Sequence, residues 1–161
     1  MEKLESKKCL AVIRVRGITG MNREIKETMD MLRLQKNCHA TLMDDRPAYL
    51  GMLCKARNYL TWGEVSKETL AFLLAKRGRL VGNVKLTNDY AQKVGKKSLN
   101  ELAETIVKAE MDFRSLPSIK PVFRLHPPSK GFAGKVKQSF ASGGVTGYRG
   151  EAINHLLEQM I

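Results

Sequence analysis

The stretch from residue 9 to residue 64, CLAVIRVRGITGMNREIKETMDMLRLQKNCHATLMDDRPAYLGMLCKARNYLTWGE, decides the fold. It opens with an apolar, β-branched run, Cys9 to Val15, with polarity appearing at Arg14 and, just beyond the run, at Arg16. Such a run reads as a central strand emerging into solvent. Gly17 and Gly20 then let the chain turn. Asn22 can cap a helix that runs to about Leu34, with Ile25, Met29 and Leu32 on its buried side. A second short apolar run, Cys38 to Met43, reads as another strand. Pro47 suits the first position of a helix reaching about Ala56. Asn58 to Glu64 reads as a third strand, with Trp62 as a packing anchor. The order is therefore β-α-β-α-β.

Outside this unit the helix signals are local and clear. Ser66 opens a helix with Val65 and Leu70 placed as a hydrophobic staple, and Lys76, Arg77 and Gly78 close it. Arg79 to Leu86 reads as a connector or short strand, and Asn88 to Val94 as a short helix. Ser98 and Glu101 form a capping-box pattern. Behind them Leu99, Leu102, Ile106, Ala109 and Phe113 recur at helical spacing, which predicts a helix out to Phe113. Ile153, Leu156, Leu157 and Met160 mark one side of a last helix. The division expected is residues 1–65 as a core and 66–161 as an extension. Residues 1 to 8 read as a charged, frayed lead-in.

From residue 113 to residue 150 there is no Asp or Glu, but there are Arg114, Lys120, Arg124, Lys130, Lys135, Lys137 and Arg149. Pro117, Pro121, Pro127 and Pro128 and six glycines lie in the same segment. That composition predicts a basic arm, about residues 114–149, that folds poorly alone and orders against a polyanion. Phe123, Phe132, Phe140 and Tyr148 are interleaved. They suit stacking on unpaired bases, or tethering of the arm to the protein's own core.

The whole chain of 161 residues carries a net charge of +12, which favours a polyanionic partner. No helix pairs a wholly basic face with a wide apolar one, so a membrane surface is the weaker reading. No apolar run approaches the roughly 20 residues that span a bilayer. Cys9, Cys38 and Cys54 are odd in number, lie far apart and sit in apolar runs. They read as small buried hydrophobes in a reducing compartment. His39, His126 and His155 show no metal-ligand spacing. Asp44 and Asp45 form the one notable carboxylate pair, and their place before Pro47, at the positive end of a helix, explains them without catalysis. Arg14 and Arg16, two apart on a strand, point to one face beside a helix start. A phosphate site and a solvated strand–helix loop both fit them. Arg33 and Lys36 suit the C-terminal end of the first helix through its dipole.

The stretch resembles the large-subunit ribosomal protein L-thirty family. The residues that carry the resemblance are Leu10 to Arg16, the Gly17–Gly20 turn, Asp44-Asp45-Arg46-Pro47-Ala48, then Gly51-Met52 and Lys55. Tyr59-Leu-Thr-Trp-Gly-Glu64, Phe123-Arg-Leu-His-Pro-Pro128 and Lys130-Gly-Phe132 resemble its longer archaeal form, whose eukaryotic counterpart is L-seven. The resemblance covers essentially the whole chain. It implies an α+β, ferredoxin-like core of three strands with two helices on one side, and a structural role in the large ribosomal subunit. It implies binding to large-subunit (23S) rRNA in the cytoplasm, contact with other large-subunit proteins, 5S rRNA as a further candidate, and no catalysis, cofactor, membrane or small-molecule substrate. By position, Arg14, Arg16, Lys55 and Arg57 match RNA-facing edges, and the arm adds Lys120, Arg124, Lys130, Lys135, Lys137 and Arg149. Arg46 departs from the small hydroxyl residue many members carry before Pro47, so the helix cap is expected from Asp45. A free RNA-binding regulator is the alternative. An acylphosphatase-like enzyme would need a phosphate-cradling loop, and the spacing of Arg16 and Asn22 gives no support for one.

Overall fold

The structure, a computed structural model, describes residues 8–161. Of the lead-in expected at residues 1 to 8, residues 1–7 lie outside the described residues. The fold is α+β, built on one sheet of six strands in the order β4-β2-β1-β3-β6-β5. β1 (Cys9–Arg14) lies at its centre, antiparallel to both β2 (His39–Asp44) and β3 (Leu60–Glu64). α1 (Arg23–Met31) joins β1 to β2, and α2 (Pro47–Lys55) joins β2 to β3. This is the β-α-β-α-β unit expected. The sheet is wider than the three strands expected, because the extension contributes β4 (Val122–Arg124), β5 (Lys135–Ser139) and β6 (Gly144–Tyr148).

β1 reads as an unbroken apolar run because both of its faces are covered. Leu10 and Val12 face a core made with Met29 of α1 and Leu32 at its C-cap, Leu53 of α2, and Leu60 and Trp62 of β3. Cys9, Ala11 and Ile13 face the other core. There α3 (Lys67–Arg77), α4 (Asn88–Lys93), α5 (Leu99–Val107) and α6 (Ile153–Met160) cover the sheet. Two helices on one side is thus correct for α1 and α2, and the extension supplies the opposite layer. Met29, Leu32 and Leu53 are fully buried. Burial of each such side chain contributes about 1.5–3 kcal/mol.

Asn22, Ser66 and Ser98 cap α1, α3 and α5 through side-chain oxygens that accept from Glu24, Thr69 and Glu101 backbone N–H groups. The Asp45 cap is corrected: Arg46 occupies the cap position of α2 with no side-chain bond, and its guanidinium instead pairs with Asp44. α1 and α5 end earlier than their apolar spacing predicts. Both close in a Schellman motif with a left-handed residue that is not glycine. Arg33 (φ 61) and Ala109 (φ 52) hold those positions. Leu34 N–H donates to Met29 and Glu110 N–H to Thr105, satisfying the last carbonyls. The chain then reaches Phe113 through a 3-10 turn at Phe113–Ser115 rather than by continuing α5.

The basic arm is folded against the sheet. β4 pairs with β2, and β6 runs parallel to β3. Phe123 is buried and stacks on Phe113, with ring centroids 5.1 Å apart. Of the two roles open to it, Phe123 takes that of a tether. Arg114 donates to the Leu32 carbonyl at the end of α1, a second tie. The glycines serve close approach as well as turning. A Cβ on Gly63 would lie 2.0 Å from the Gly150 carbonyl oxygen, and one on Gly144 would lie 2.1 Å from that of Gln138. Pro121 precedes β4, an edge strand, where a missing N–H is tolerated. Prolines and glycines therefore shape this segment without preventing its docking. Cys9 and Cys38 are buried as expected, and burial beside Asp44 and Asp112 pushes the Cys9 thiol up to about 12. Cys54 is exposed on α2, a departure from the buried role expected.

Candidate nucleic-acid interface

Strand directions sort the charges. β1 ends at Arg14, opposite Leu60, where β3 begins. β2 begins at His39, opposite Arg124, where β4 ends. One end of the sheet therefore gathers Arg16, the connection carrying Arg33 and Lys36, the Lys55–Arg57 segment, and Arg124. Lys135 opens β5 opposite Gly144, which lies before the first residue pair of β6 with β3, so it belongs to the same end. Lys130 sits in a turn beside the C-terminal end of α6, where Ser129 N–H donates to Gln159.

Arg14 does not take the phosphate-facing position expected of it. It is only 2% exposed. β1 stops at Arg14, so the alternation that would align it with Arg16 stops there too. Its side chain follows Leu10 and Val12 into the α1 side. Nε donates to the Arg16 carbonyl at 2.9 Å, and a terminal nitrogen donates to the Leu34 carbonyl at 2.7 Å. Burial pushes the guanidinium pKa down, against the opposing field of Asp30. Arg14 ties the β1 end to the end of α1.

Arg16 lies half-exposed just beyond the strand. Its guanidinium stacks over Tyr59 at 4.7 Å and donates to the Asn58 carbonyl at 3.3 Å. The stack holds the planar cation at the surface with its remaining donors free. Arg57 is exposed and makes no ion pair among the described residues. Lys55 is exposed and paired with Glu24 at 3.2 Å. Lys120 is half-buried, and Arg124, Lys130, Lys135 and Lys137 are exposed. None of these five forms an ion pair among the described residues.

Arg149 also turns inward. It donates to the Thr61 hydroxyl at 2.8 Å and to the Val145 carbonyl, and it lies 4.8 Å over the Phe140 ring. Burial lowers its pKa. This arginine, half-buried, holds β6 against β3, and the donors it spends on Thr61 and Val145 are internal ties. Phe140 and Tyr148 are the arm's exposed rings, at 38% and 54%. The Tyr148 hydroxyl donates to Glu64 at 2.8 Å.

Sequence spacing missed one grouping. Arg33 sits beside β4, not only beside a helix dipole. Arg33, His39, Lys120 and Arg124 line one cleft of about 500 Å³ with Asp30, Gln35, Pro121 and Val122. His39 and Arg124 are 85 positions apart and face each other only through the β2–β4 register. No local signal carries that pairing. No group of three or more His, Cys, Asp or Glu residues that could hold a metal ion converges among the described residues. Asn22, the acylphosphatase-like candidate, uses its side chain to cap α1. No helix among the described residues is long and apolar enough to cross a membrane.

Residues 10–60 match the family model described as ribosomal protein L30p/L7e. Relatives match over nearly the whole chain. A protein of Methanobrevibacter smithii named large ribosomal subunit protein uL30 is 48% identical over 151 residues, covering 93% of this chain and 98% of its own. Proteins of the same name from Archaeoglobus fulgidus and Methanopyrus kandleri are each 46% identical, covering 93% and 91% of this chain and 98% and 100% of their own.

Proposed function

The chain belongs to the ribosomal protein L30p/L7e family, and from that premise we propose that it is a structural constituent of the large ribosomal subunit that binds 23S rRNA with the basic end of its sheet. It works in the cytoplasm, in the ribosome, and catalyses nothing. Its partners are rRNA and neighbouring large-subunit proteins, with 5S rRNA a candidate among the RNA contacts.

The observation that carries this reading is the gathering of unpaired cations at one end of the sheet. Arg16, Arg57, Arg124, Lys130 and Lys135 extend from separate elements and have no carboxylate partner among the described residues. A phosphate backbone supplies the missing counter-charge, and each contact releases condensed cations. Lys120 and Lys137 extend the surface along the arm, and Lys55 joins it by exchanging Glu24 for phosphate. The rigid sheet fixes the spacing of these charges, so binding orders few backbone atoms.

Sucrose-gradient fractionation of native lysate, probed for this protein at low salt and at about 0.5 M salt, tests the reading. Co-migration with the large subunit at both salts is expected. Migration at the top of the gradient at both would contradict it and favour a free RNA-binding regulator.

A further inference from the structure

The cleft between the end of α1 and the β2–β4 edge holds charges that nothing within the chain answers. Arg33 comes from the left-handed turn after α1, Lys120 from the approach to β4, and Arg124 from the end of β4. None of the three makes a side-chain hydrogen bond or an ion pair among the described residues. Asp30 is the one carboxylate in the lining. His39 lies opposite Arg124 in the strand pairing, and like charges in directly opposed positions repel. Its Nδ1 is buried without a partner. A buried N–H with no acceptor is costlier than a bare ring nitrogen, so Nδ1 is the unprotonated atom and the proton sits on Nε2. Beneath the floor, one terminal nitrogen of Arg14 is also buried without a partner.

The charged groups facing His39 are Arg14 from β1, Asp30 from α1, Arg33 and Lys36 from the α1–β2 connection, Arg124 from β4 and Lys120 before it. Burial, then Arg124, Lys36 and Arg14, hold its pKa below the ordinary histidine value. Five cations around one carboxylate and a neutral imidazole describe a site built for an anion. Three of the cations reach the cleft on separate elements, which suits the separate oxygens of a tetrahedral group.

We infer that this cleft takes a phosphate group, held by Arg33, Lys120 and Arg124 above His39. On the rRNA-binding reading, on which the source of the group rests, it is a backbone phosphate. The bound anion offsets the cations that keep His39 neutral, so occupancy raises the His39 pKa. Proton uptake then accompanies binding, and affinity falls as pH rises from below the lowered His39 value toward neutrality.

The test uses the full chain, isotope-labelled, with the His39 ring followed by NMR across that pH range. Sulfate is the first probe, because it stays a dianion where phosphate itself titrates. A short oligouridylate is the second. Sulfate is expected to raise the His39 pKa by about half a unit or more, worth roughly threefold in affinity between the two pH limits. The Lys120→Ala/Arg124→Ala variant should lose that response. Asp30→Asn, which removes the opposing charge and guards against a folding defect in the double variant, should bind sulfate severalfold more tightly. A His39 response no greater than the shift changes at His126 and His155, or a double variant that responds like the parent, would overturn the site. A response to sulfate with none to the oligouridylate would overturn the backbone source and leave a small-anion site. A chain that answers both probes but migrates at the top of the ribosome gradient would overturn the ribosomal reading and leave the cleft standing.

Discussion

The two ends of the sheet treat their cations differently. Where β1 begins and β2 and β3 finish, the cations are answered within the chain. Lys8 pairs with Glu64, Arg46 with Asp44 and Asp112, and Lys67 and Lys108 with Glu104. Where β1 finishes, Arg16, Arg57 and Arg124 have no carboxylate partner among the described residues, and Lys55 has Glu24 alone. Net charge alone does not locate a partner. The distribution of carboxylates does, because a cation already paired gains little from a phosphate, whereas an unpaired one gains counter-charge and releases ions. The net charge of +12 is therefore answered unevenly within the chain.

The contrast can be broken most severely at its own support. Arg14→Ala removes a buried cation whose donors hold the Arg16 and Leu34 carbonyls, and it leaves both acceptors short. It should cost about 2–3 kcal/mol and lower the thermal midpoint in a circular dichroism melt. Arg16→Ala, at the surface, should cost under about 0.5 kcal/mol. Equal losses would mean that Arg14 supports nothing the surface residue does not.

A smaller effect, in binding rather than stability, sharpens the comparison. Changing Arg16, Arg57 and Arg124 together to Ala should weaken rRNA binding and flatten the slope of log affinity against log salt by about three units. The pair Glu64→Gln and Glu110→Gln, at the opposite end, should leave that slope unchanged. A slope altered by the second pair would place RNA at both ends.

Smaller again is the relief of one strained turn. Ala109 holds a left-handed conformation that costs a residue with a Cβ roughly 1–2 kcal/mol. Ala109→Gly removes that cost and adds unfolded-state entropy, for a net gain of up to about 1 kcal/mol in chemical denaturation. A loss would show that the turn is not strained.

The smallest effect lies in acid. Hydrogen bonds from Lys67 and Lys108 hold the Glu104 carboxyl down to about 2. A carboxyl depressed on folding stabilises above its unfolded value, near 4.5, and that contribution is lost as pH falls through about 2. Glu104→Gln should therefore melt slightly below the parent at neutral pH and converge with it toward pH 2. Parallel curves throughout would show that the exposed pair contributes nothing.

Much of the core was legible because its signals are local. The unbroken apolar run of Cys9 to Ile13, the caps at Asn22, Ser66 and Ser98, and Pro47 at a helix start each depend on neighbours within a few positions. Helix ends were less legible: the apolar spacing ran on to Ala109 and Phe113, while a left-handed alanine ended α5. The interface was half legible. The arm's acid-free composition singled out Lys120, Arg124 and Lys135, which have no carboxylate partner among the described residues. It could not show that Arg149 turns inward, because its partners, Thr61 and Phe140, are set by how β6 docks on β3. Arg14 was misplaced because a strand's alternation was extended past the strand. The His39 cleft depends on a register between distant segments, which no spacing rule encodes.

Lysine reactivity is the most direct test of the central claim that RNA meets the unpaired end. The protein would be acetylated free in solution and within isolated large subunits, with each lysine read by mass spectrometry. Protection of Lys36, Lys55, Lys120, Lys130 and Lys135, with Lys67 and Lys108 still reactive, is the result predicted. Protection of Lys67 and Lys108 with the first group left reactive would contradict the account.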